Sequence, residues 1–394
     1  MEILLMINGT YPGGMAMSKR LHLYAKAMQE RGLDPMIYSY ARGNLMEEGV
    51  NDGNKFRTYP NPVWVNNYVM RQFYSFFVSF WFAIISYRES KHYKLIYFTG
   101  FGWFTALLMI ICIHLGNSKC ILEVNENPYS PEGGRLDPIW IRRIRRKLML
   151  SLTYPLADGF IVISNPLIEL VNKYKKEKAQ VLYIPILTDN NKCHLIRTVD
   201  ERCPFILHAG ALSETKDGII AVFEAFAIAC NRTDTDLKFI LTIKTIQLKL
   251  KRVLDRVIEE NGLTEKVIFK DFIPEPELDE LRYKSTLAIV NKPANWQNDY
   301  NFPTKLGELL SAGVPVIASI TGEMCNYLKD NETAFLVPAN DKEAIAEKIL
   351  YILKNPGDAE RVGKNGRRLA ESRFYYSVHA ERLYSFINAL ITYE

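Results

Sequence analysis

The sequence lacks the cysteine and charge patterns that mark several classes of protein. Its six cysteines, at positions 112, 120, 193, 203, 230 and 325, form neither a CxxC pair nor a metal-ligand spacing. We therefore expect mostly buried free thiols in a reducing cytoplasm. The net charge of +5 over 394 residues is too small to indicate a nucleic-acid partner by itself.

The sequence also lacks the pattern of a signal peptide. The first seven residues have no basic segment and are predicted to form a strand. The apolar segment 73–86 is too short to cross a bilayer, which takes about 20 residues. It is either a buried helix or a helix that dips into a membrane surface. The expected location is the cytoplasm, and the second interpretation would add peripheral contact with the inner face of a membrane.

The residues that are present suit a globular α/β protein. Hydrophobic residues make up 48% of the chain and charged residues 24%, which fits a large core. A chain of 394 residues is expected to form two domains. Strand, glycine loop and helix follow one another in 3–40 and again from 204. This alternation predicts two Rossmann-like halves of similar size, joined by a polar linker at 187–203.

The most informative stretch is NFPTKLGELLSAGVPVIA at 301–318. It predicts a loop, a helix, a tight stop and a buried strand. Asn301 is a good helix cap, Pro303 fits a first turn and Gly313 suits a helix end. The apolar run 314–318 is typical of a strand in a parallel sheet.

The helix in this stretch carries two charged residues on one face. Lys305 lies in the first turn, where the helix dipole disfavours a cation unless an anion binds there too. Glu308, one turn later, could accept hydrogen bonds from sugar hydroxyls. A phosphate and a polyol one turn apart describe a nucleotide sugar. The alternative is a surface Lys–Glu pair, which stabilises a helix by roughly a few tenths of a kcal/mol.

The stretch resembles the donor-site signature of retaining GT-B glycosyltransferases of the glycogen-synthase-like group, of the family 4-like, bacterial polysaccharide and lipopolysaccharide type. The resemblance implies two Rossmann-like domains that face a central cleft. We expect an acceptor domain at 1–190 with a closing helix at 376–394, and a nucleotide-sugar domain at 203–375. The first would bind a glycan or lipid-linked acceptor, and the second a UDP- or GDP-linked sugar.

The resemblance gives Lys305 the donor diphosphate and Glu308 the ribose. Further donor contacts are expected from Asn301, Phe302, Pro303 and Thr304. The group often has a glutamate where this chain has Tyr300, so the contact with the sugar ring is changed.

A second donor segment follows the first strand of the C-terminal half. It resembles Gly-Arg-Leu-x-x-x-Lys-Gly, whose Arg and Lys bind the donor phosphates. Gly210 and Lys216 keep their places, Ser213 lies between them, and Ala211 stands where Arg is common. Lys216 is then expected to carry more of the diphosphate charge together with Lys305.

Three other residues of this half are weaker candidates. Phe272 and Ile273 lie where relatives pass the nucleotide base, although a buried hydrophobic pair is the default. Lys244 could be a third cation, or a plain exposed lysine.

Two segments of the first half are candidate parts of the active site. Gly13 and Gly14 allow a ligand close to the backbone, and in the resembled group such a loop lies over the cleft. An ordinary βα turn is the alternative. Asn125 and Glu126 follow a strand whose carboxyl end would face the ligand crevice. They would replace the His or acid that many relatives place there, and a turn before Pro128 is the alternative.

The strongest charge cluster lies at 141–150, where four arginines and a lysine flank an apolar stripe that includes Ile144 and Leu148. A basic amphipathic helix suits an anionic membrane surface. A solvated helix face is the alternative. The lipid-linked acceptors of the resembled group favour membrane contact.

The sequence thus predicts a glycosyltransferase of bacterial surface polysaccharide synthesis. The expected catalytic residues are Asn125, Glu126, Lys216 and Lys305. No cofactor or metal is expected, because no Asp-x-Asp occurs where a metal clamp would be and lysines can stabilise the leaving diphosphate. Retention of configuration is implied by the resemblance. A non-catalytic glycosyltransferase-like subunit and a nucleotide-sugar isomerase of the same fold are the alternatives.

Overall fold

The computed structural model describes residues 2–41, 45–61, 68–128, 138–189, 203–210, 212–243, 246–271 and 273–392. The strands are β1 (Glu2–Ile7), β2 (Asp34–Ala41), β3 (Glu47–Asn51), β4 (Asn54–Pro60), β5 (Leu95–Thr99), β6 (Lys119–Val124), β7 (Gly159–Val162), β8 (Gln180–Tyr183), β9 (Phe205–Ala209), β10 (Lys238–Thr242), β11 (Val267–Lys270), β12 (Leu287–Val290), β13 (Val316–Ser319) and β14 (Phe335–Val337).

The α-helices are α1 (Ala16–Gln29), α2 (Tyr68–Glu89), α3 (Trp103–Leu115), α4 (Ile139–Leu148), α5 (Asn165–Tyr174), α6 (Glu214–Asp217), α7 (Ile219–Asn231), α8 (Leu248–Glu260), α9 (Glu275–Lys284), α10 (Trp296–Asp299), α11 (Thr304–Ser311), α12 (Lys342–Lys354), α13 (Pro356–Arg373) and α14 (Ala380–Thr392). A π-helical turn at Met149–Thr153 and short 3-10 turns at Tyr154–Leu156, Gly322–Asn326 and Tyr376–His379 complete the helical segments of the described ranges.

The first compact unit contains the residues up to Leu187 and those from Tyr376 onward. Its sheet has the strand order β3-β4-β2-β1-β5-β6-β7-β8. Every neighbouring pair is parallel except β3 with β4. The topological switch point of the sheet lies between β1 and β5, where the strand order reverses. The loop after β1, which holds Gly13 and Gly14, therefore lies at the edge where α/β sheets bind ligands.

The second unit runs from Thr188 to Tyr375. Its six parallel strands have the order β11-β10-β9-β12-β13-β14. The core contains Phe223 and Phe226 of α7, whose rings lie 5.2 and 5.3 Å from the ring of Phe239 on β10. The predicted α/β class with two Rossmann-like domains is confirmed.

Helix α2 is buried on one side only. Phe82 and Ala83 lie in the core. The large hydrophobic residues of α2 that expose between 44% and 61% of their surface are Met70, Phe73, Tyr74, Phe76, Phe77, Phe80 and Ile84. A fully buried helix, one of the two interpretations of this segment, is therefore wrong. None of the helices in the described ranges combines the length and apolar composition needed to cross a bilayer.

The basic helix α4 has several arginines with partners in the fold. Arg142 is buried. Arg145 donates to Gln72 Oε1 of α2 at 2.7 Å, and Arg146 donates to Asn127 Oδ1 at 3.1 Å. Trp140 is 63% exposed and Ile144 49%. The exposed side of α4 therefore combines apolar residues with cations, next to α2.

The expectation of mostly buried thiols is wrong for the described cysteines, since only two of the five are buried. Cys120 and Cys230 are buried, Cys112 is half-buried, and Cys203 and Cys325 are exposed. All five are free thiols.

Candidate functional site

The candidate site lies at the topological switch point of the second sheet, where the strand order reverses. Strands β9 and β12 are neighbours, and the chain continues to β10 on one side and to β13 on the other. Gly210 follows β9, while Asn291 and Lys292 follow β12. Ligands of open α/β sheets bind at the carboxyl ends of the strands at such a switch.

Helix α11 enters this region with its N-terminus. It begins at Thr304, with Pro303 as the N-cap residue, and no side chain caps it. The prediction that Asn301 caps the helix is therefore wrong. Gly313 has φ of +70° and donates its N–H to the Leu310 carbonyl at 2.8 Å. A left-handed glycine just past the last turn is a common helix stop, as predicted.

The residues just before α11 are held by packing. The ring of Phe302 is 1% exposed. It lies 5.3 Å from the ring of Tyr327 and 5.6 Å from that of Phe374. The Phe302 side chain is thus part of the core, and any contact it makes with a donor would involve its backbone.

Lys305 forms an ion pair with a residue that the sequence did not identify. Its Nζ lies 2.7 Å from Asp217 Oδ1, and Lys292 Nζ lies 3.0 Å from the same oxygen. Lys305 and Glu308 do not pair with each other, because Glu308 forms its ion pair with Arg282. The alternative of a surface Lys–Glu pair is therefore wrong. Each charged residue of α11 is therefore held by a different element.

Asp217 is positioned by the short helix α6 and by β12. Ser213 Oγ accepts the N–H of Lys216 at 3.1 Å at the start of α6. At its end, Asn291 Nδ2 donates to the carbonyls of Asp217 at 3.2 Å and Gly218 at 3.1 Å. These bonds fix the Asp217 backbone beside Lys292, which follows Asn291 in the chain.

The charges shift the pKa values of both buried partners. Burial alone would raise the pKa of Asp217, but Lys305 and then Lys292 outweigh it and hold that pKa well below its usual value. Burial, and then the like charge of Lys305, lower the pKa of Lys292 to about 8. Asp217 is thus a carboxylate at neutral pH, whereas Lys292 titrates just above it.

Glu308 belongs to a second charged group. Arg282 of α9 is buried and donates to Glu275 at 2.8 Å, Asp279 at 2.6 Å and Glu308 at 2.7 Å. Lys305 and Glu308 line one pocket, together with Leu207, His208, Ala209, Arg282, Ile289 and Leu309. The lining of the pocket therefore includes Lys305 and Glu308, one helical turn apart, and the cation Arg282 that Glu308 already binds.

The other predicted donor residues that the structure describes do not line this pocket, and they differ in exposure. Gly210 has φ of +106° and an exposed backbone. Thr304, Asn301, Ser213 and Ile273 are half-buried. Pro303 is buried. Ala211, Lys244 and Phe272 lie outside the described residues.

The candidate residues of the first unit form a separate set. Asn125 is half-buried and Glu126 is exposed, directly after β6. Glu123, expected inside the strand, is buried there and accepts from Arg20 Nε at 2.7 Å. Gly13 has φ of +83° and no atom within 4 Å of a Cβ placed on it.

One group in the described part of the chain has the spacing of a metal site. His114, Cys120 and Asp158 offer ligand atoms within 4.8 Å of one another in the first unit. Asp158 already accepts from Lys176 Nζ and the Cys120 N–H, both at 2.9 Å. This donor set is therefore part of an ion-pair network.

Comparisons with known proteins point to glycosyltransferases. Residues 194–369 match the family model of Glycosyl transferases group 1. The capsular polysaccharide biosynthesis glycosyltransferase CapM of Staphylococcus aureus is 30% identical over 112 residues, which cover 26% of this chain and 30% of CapM. The chain thus spans less than a third of the length of this curated relative.

Two solved structures share the fold over nearly the whole chain. The sucrose-phosphate synthase of Thermosynechococcus elongatus has a TM-score of 0.77 at 18% identity, covering 99% of this chain and 98% of that one. Anabaena HepE, solved in complex with UDP-glucose, has a TM-score of 0.70 at 15% identity, covering 99% and 100%. The protein therefore has the two-domain α/β fold of GT-B glycosyltransferases, and its residues 194–369 match the Glycosyl transferases group 1 family.

Proposed function

We propose that the protein is a glycosyltransferase that uses a nucleoside-diphosphate sugar, UDP- or GDP-linked. The observation that carries this proposal is the pocket in which Lys305 and Glu308 of α11 lie one turn apart. The family match of residues 194–369 includes this pocket. The UDP-glucose complex of HepE and the capsular polysaccharide role in the name of CapM support a sugar nucleotide donor and a surface-glycan product.

The donor diphosphate would bind at the N-terminus of α11 beside Lys305 and Lys216. Helix N–H groups and ammonium groups can stabilise the charge that develops on a leaving diphosphate. We therefore propose a metal-independent reaction. Glu308 would accept hydrogen bonds from the ribose hydroxyls, with the contacts at Gly210, Ser213 and Ile273 completing the donor site.

The first unit would supply the acceptor side. We propose that Asn125 and Glu126 meet the transferred sugar and that the loop with Gly13 and Gly14 borders the reaction site. The acceptor would be a glycan or lipid-linked glycan, and retention of anomeric configuration follows from the resemblance of 301–317 to retaining enzymes.

A thermal-shift screen of UDP-, GDP- and ADP-sugars tests the donor site. We expect one nucleotide class to raise the melting temperature of the wild type, and Lys305→Ala and Glu308→Gln to abolish that shift. Lys329→Ala is the matched control, because Lys329 is an exposed lysine of the same unit with 70% of its side chain accessible. Equal shifts in all four proteins would remove the donor assignment.

A non-catalytic subunit is the second candidate. It is favoured by the fact that Lys305 and Glu308 already form ion pairs with Asp217 and Arg282. Release of free sugar from the stabilising nucleotide sugar by the purified wild type, lost in Glu126→Gln, would rule it out. Binding without turnover, also in the presence of a lipid extract as acceptor, would favour it.

The exposed faces of α2 and α4 are proposed to contact an anionic membrane. Phe73 and Phe77 of α2 and Trp140 of α4 are more than half exposed. Arg143 and Lys147 lie on the exposed side of α4. The hydrogen bond between Arg145 and Gln72 joins the two helices. Aromatic side chains with neighbouring cations suit the boundary between headgroups and acyl chains.

Flotation with phosphatidylglycerol vesicles tests this contact. The double variant Arg143→Ser/Lys147→Ser should lower the partition coefficient more than tenfold, since each cation contributes about 1 kcal/mol. Lys329→Ser/Lys364→Ser removes the same charge from exposed sites of the other unit and should float like the wild type. If both double variants float equally, the contact is not at α4.

A further inference from the structure

Lys292 and Asp217 are buried charged residues that the proposed donor contacts do not use. Lys292 is 5% exposed and Asp217 6%. Lys292 Nζ at 3.0 Å and Lys305 Nζ at 2.7 Å donate to the same oxygen, Asp217 Oδ1. Lys305 is the more accessible lysine, with 22% of its side chain exposed.

The charges in this group do not balance. Two ammonium groups share one carboxylate, and the charge of Lys216 also acts on Lys292. A buried excess of positive charge is unfavourable until an anion neutralises it. A diphosphate bound at Lys305 would supply negative charge, which is the sign required.

The backbone of Lys292 is held by the end of β13 and the residues that follow it. Its N–H donates to Ser319 Oγ at 2.7 Å, and its carbonyl accepts from Thr321 Oγ1 at 2.9 Å. Asn291 holds the Asp217 backbone in the same place. Hydrogen bonds thus hold the backbones of Lys292 and Asp217, and Lys305, a residue of the pocket lining, donates to Asp217.

We propose that Asp217 and Lys292 position the Lys305 ammonium for the donor diphosphate, and that tight binding requires Lys292 to be protonated. The inference rests on the proposed function, because it concerns the same donor site. Lys292 and Asp217 are positioning residues in this scheme and act through Lys305.

The expected pH dependence follows from the sign of the charges. The groups that act on Lys292 are Asp217, Lys305 and Lys216, and His208 acts on Asp217. A bound diphosphate favours protonated Lys292 and raises its pKa from about 8. Binding therefore takes up a proton above pH 8, and affinity is highest below pH 8 and falls as pH rises. A rise of the pKa to about 10 would weaken binding about tenfold between pH 7 and 9.

Calorimetric titration with UDP between pH 7 and 9 tests the inference. The phosphates of UDP are already ionised in this range, since their last pKa is about 6, so they contribute no slope of their own. The wild type should lose affinity about tenfold between pH 7 and 9. It should also take up about 0.7 proton per UDP at pH 8.5, which is measured from the binding heat in buffers of different ionisation enthalpy. Lys292→Arg carries a permanent charge and should bind at pH 9 as it does at pH 7. Lys292→Met should bind weakly at every pH.

The outcomes separate the inference from the function on which it rests. A flat wild-type profile without proton uptake overturns the inference, and so does a Lys292→Arg slope equal to that of the wild type. In both cases binding itself still supports the donor site. If no UDP, GDP or ADP binds the wild type, the proposed function fails and the inference with it. Proton uptake is measured on the wild type, so it does not depend on the folding of any variant.

Discussion

Among single residues, Gly218 decides whether Asp217 can meet both lysines. Its φ of +50° lies in the left-handed region. A Cβ at this position would overlap Asn340 Oδ1 and Asn291 Nδ2. These are the side chains that hold the end of α6 against β12.

We predict that Gly218→Ala lowers the free energy of unfolding by about 2–4 kcal/mol, through backbone strain and overlap, and weakens nucleotide binding as well. Urea unfolding measures the first effect. Gly357→Ala is the control, because a Cβ there meets nothing within 4 Å in the first turn of α13. It should leave stability unchanged or raise it by up to about 1 kcal/mol, because alanine restricts the unfolded chain. Equal effects of the two substitutions would contradict the role of Gly218.

The same scale shows which site residues sequence reasoning can find. Lys305 and Glu308 are three positions apart, and helical spacing alone puts them on one face. Lys305 and Lys292 meet Asp217 across 88 and 75 positions of sequence. No local sequence pattern predicts a contact over such distances. Asp217 and Lys292 can be identified only from the structure, in which β9 and β12 are neighbouring strands.

Among the elements, α9 contributes a buried arginine that contacts the site. Arg282 is 3% exposed and donates to three carboxylates, among them Glu308. Burial opposes its charge, but Glu308 and Glu275 more than compensate and raise the pKa of Arg282. Removing this cation would leave a cluster of buried and half-buried carboxylates.

We predict that Arg282→Met costs about 3–5 kcal/mol of stability, as expected when one partner of a buried ionic group is removed. It should also raise the KM for the donor, because Glu308 loses the bond that orients it. Lys284→Met, on the same helix, removes an exposed cation that pairs with Glu280 and should be nearly neutral. Urea unfolding and donor kinetics measure the two effects, and similar behaviour of both variants would argue against the role of Arg282.

Elements with strong local sequence patterns were predicted correctly, whereas elements that depend on pairing with distant strands were not. The helix predicted at 73–86 is present within α2, and the stop at Gly313 is present after α11. The antiparallel pair β3–β4 was not predicted, because its polar residues show little alternation. The turn between these strands, Asp52-Gly53 with both φ values positive, is the signal that could have revealed it.

For the whole molecule, the order of strands and helices along the chain was enough to predict two Rossmann-like domains, since βαβ connections allow few topologies. Both units also contain a buried aspartate that forms ion pairs with basic side chains. Asp158 pairs with His114 and Lys176 in the first unit, and Asp217 pairs with Lys292 and Lys305 in the second.

These aspartates predict acid sensitivity. Burial would raise the pKa of Asp158, but His114 and Lys176 outweigh it and lower that pKa well below the usual value. A lowered folded-state pKa gives stability that is present above the unfolded-state value of about 3.9 and is lost as pH falls below it. We expect urea stability to fall steeply below about pH 4, and Asp158→Asn to flatten this slope. Lys176→Met removes one of the groups that lower the pKa of Asp158, so it should make the loss of stability below about pH 4 smaller. An unchanged profile in both variants would refute the assignment.

The central claim is that the N-terminus of α11 binds the diphosphate of a sugar nucleotide. A crystal structure of the protein with the nucleotide that gives the largest thermal shift tests it most directly. We expect a phosphate oxygen within about 3 Å of Lys305 Nζ and ribose hydroxyls at Glu308. A nucleotide bound elsewhere, with the pocket at Lys305 and Glu308 empty, would contradict the claim.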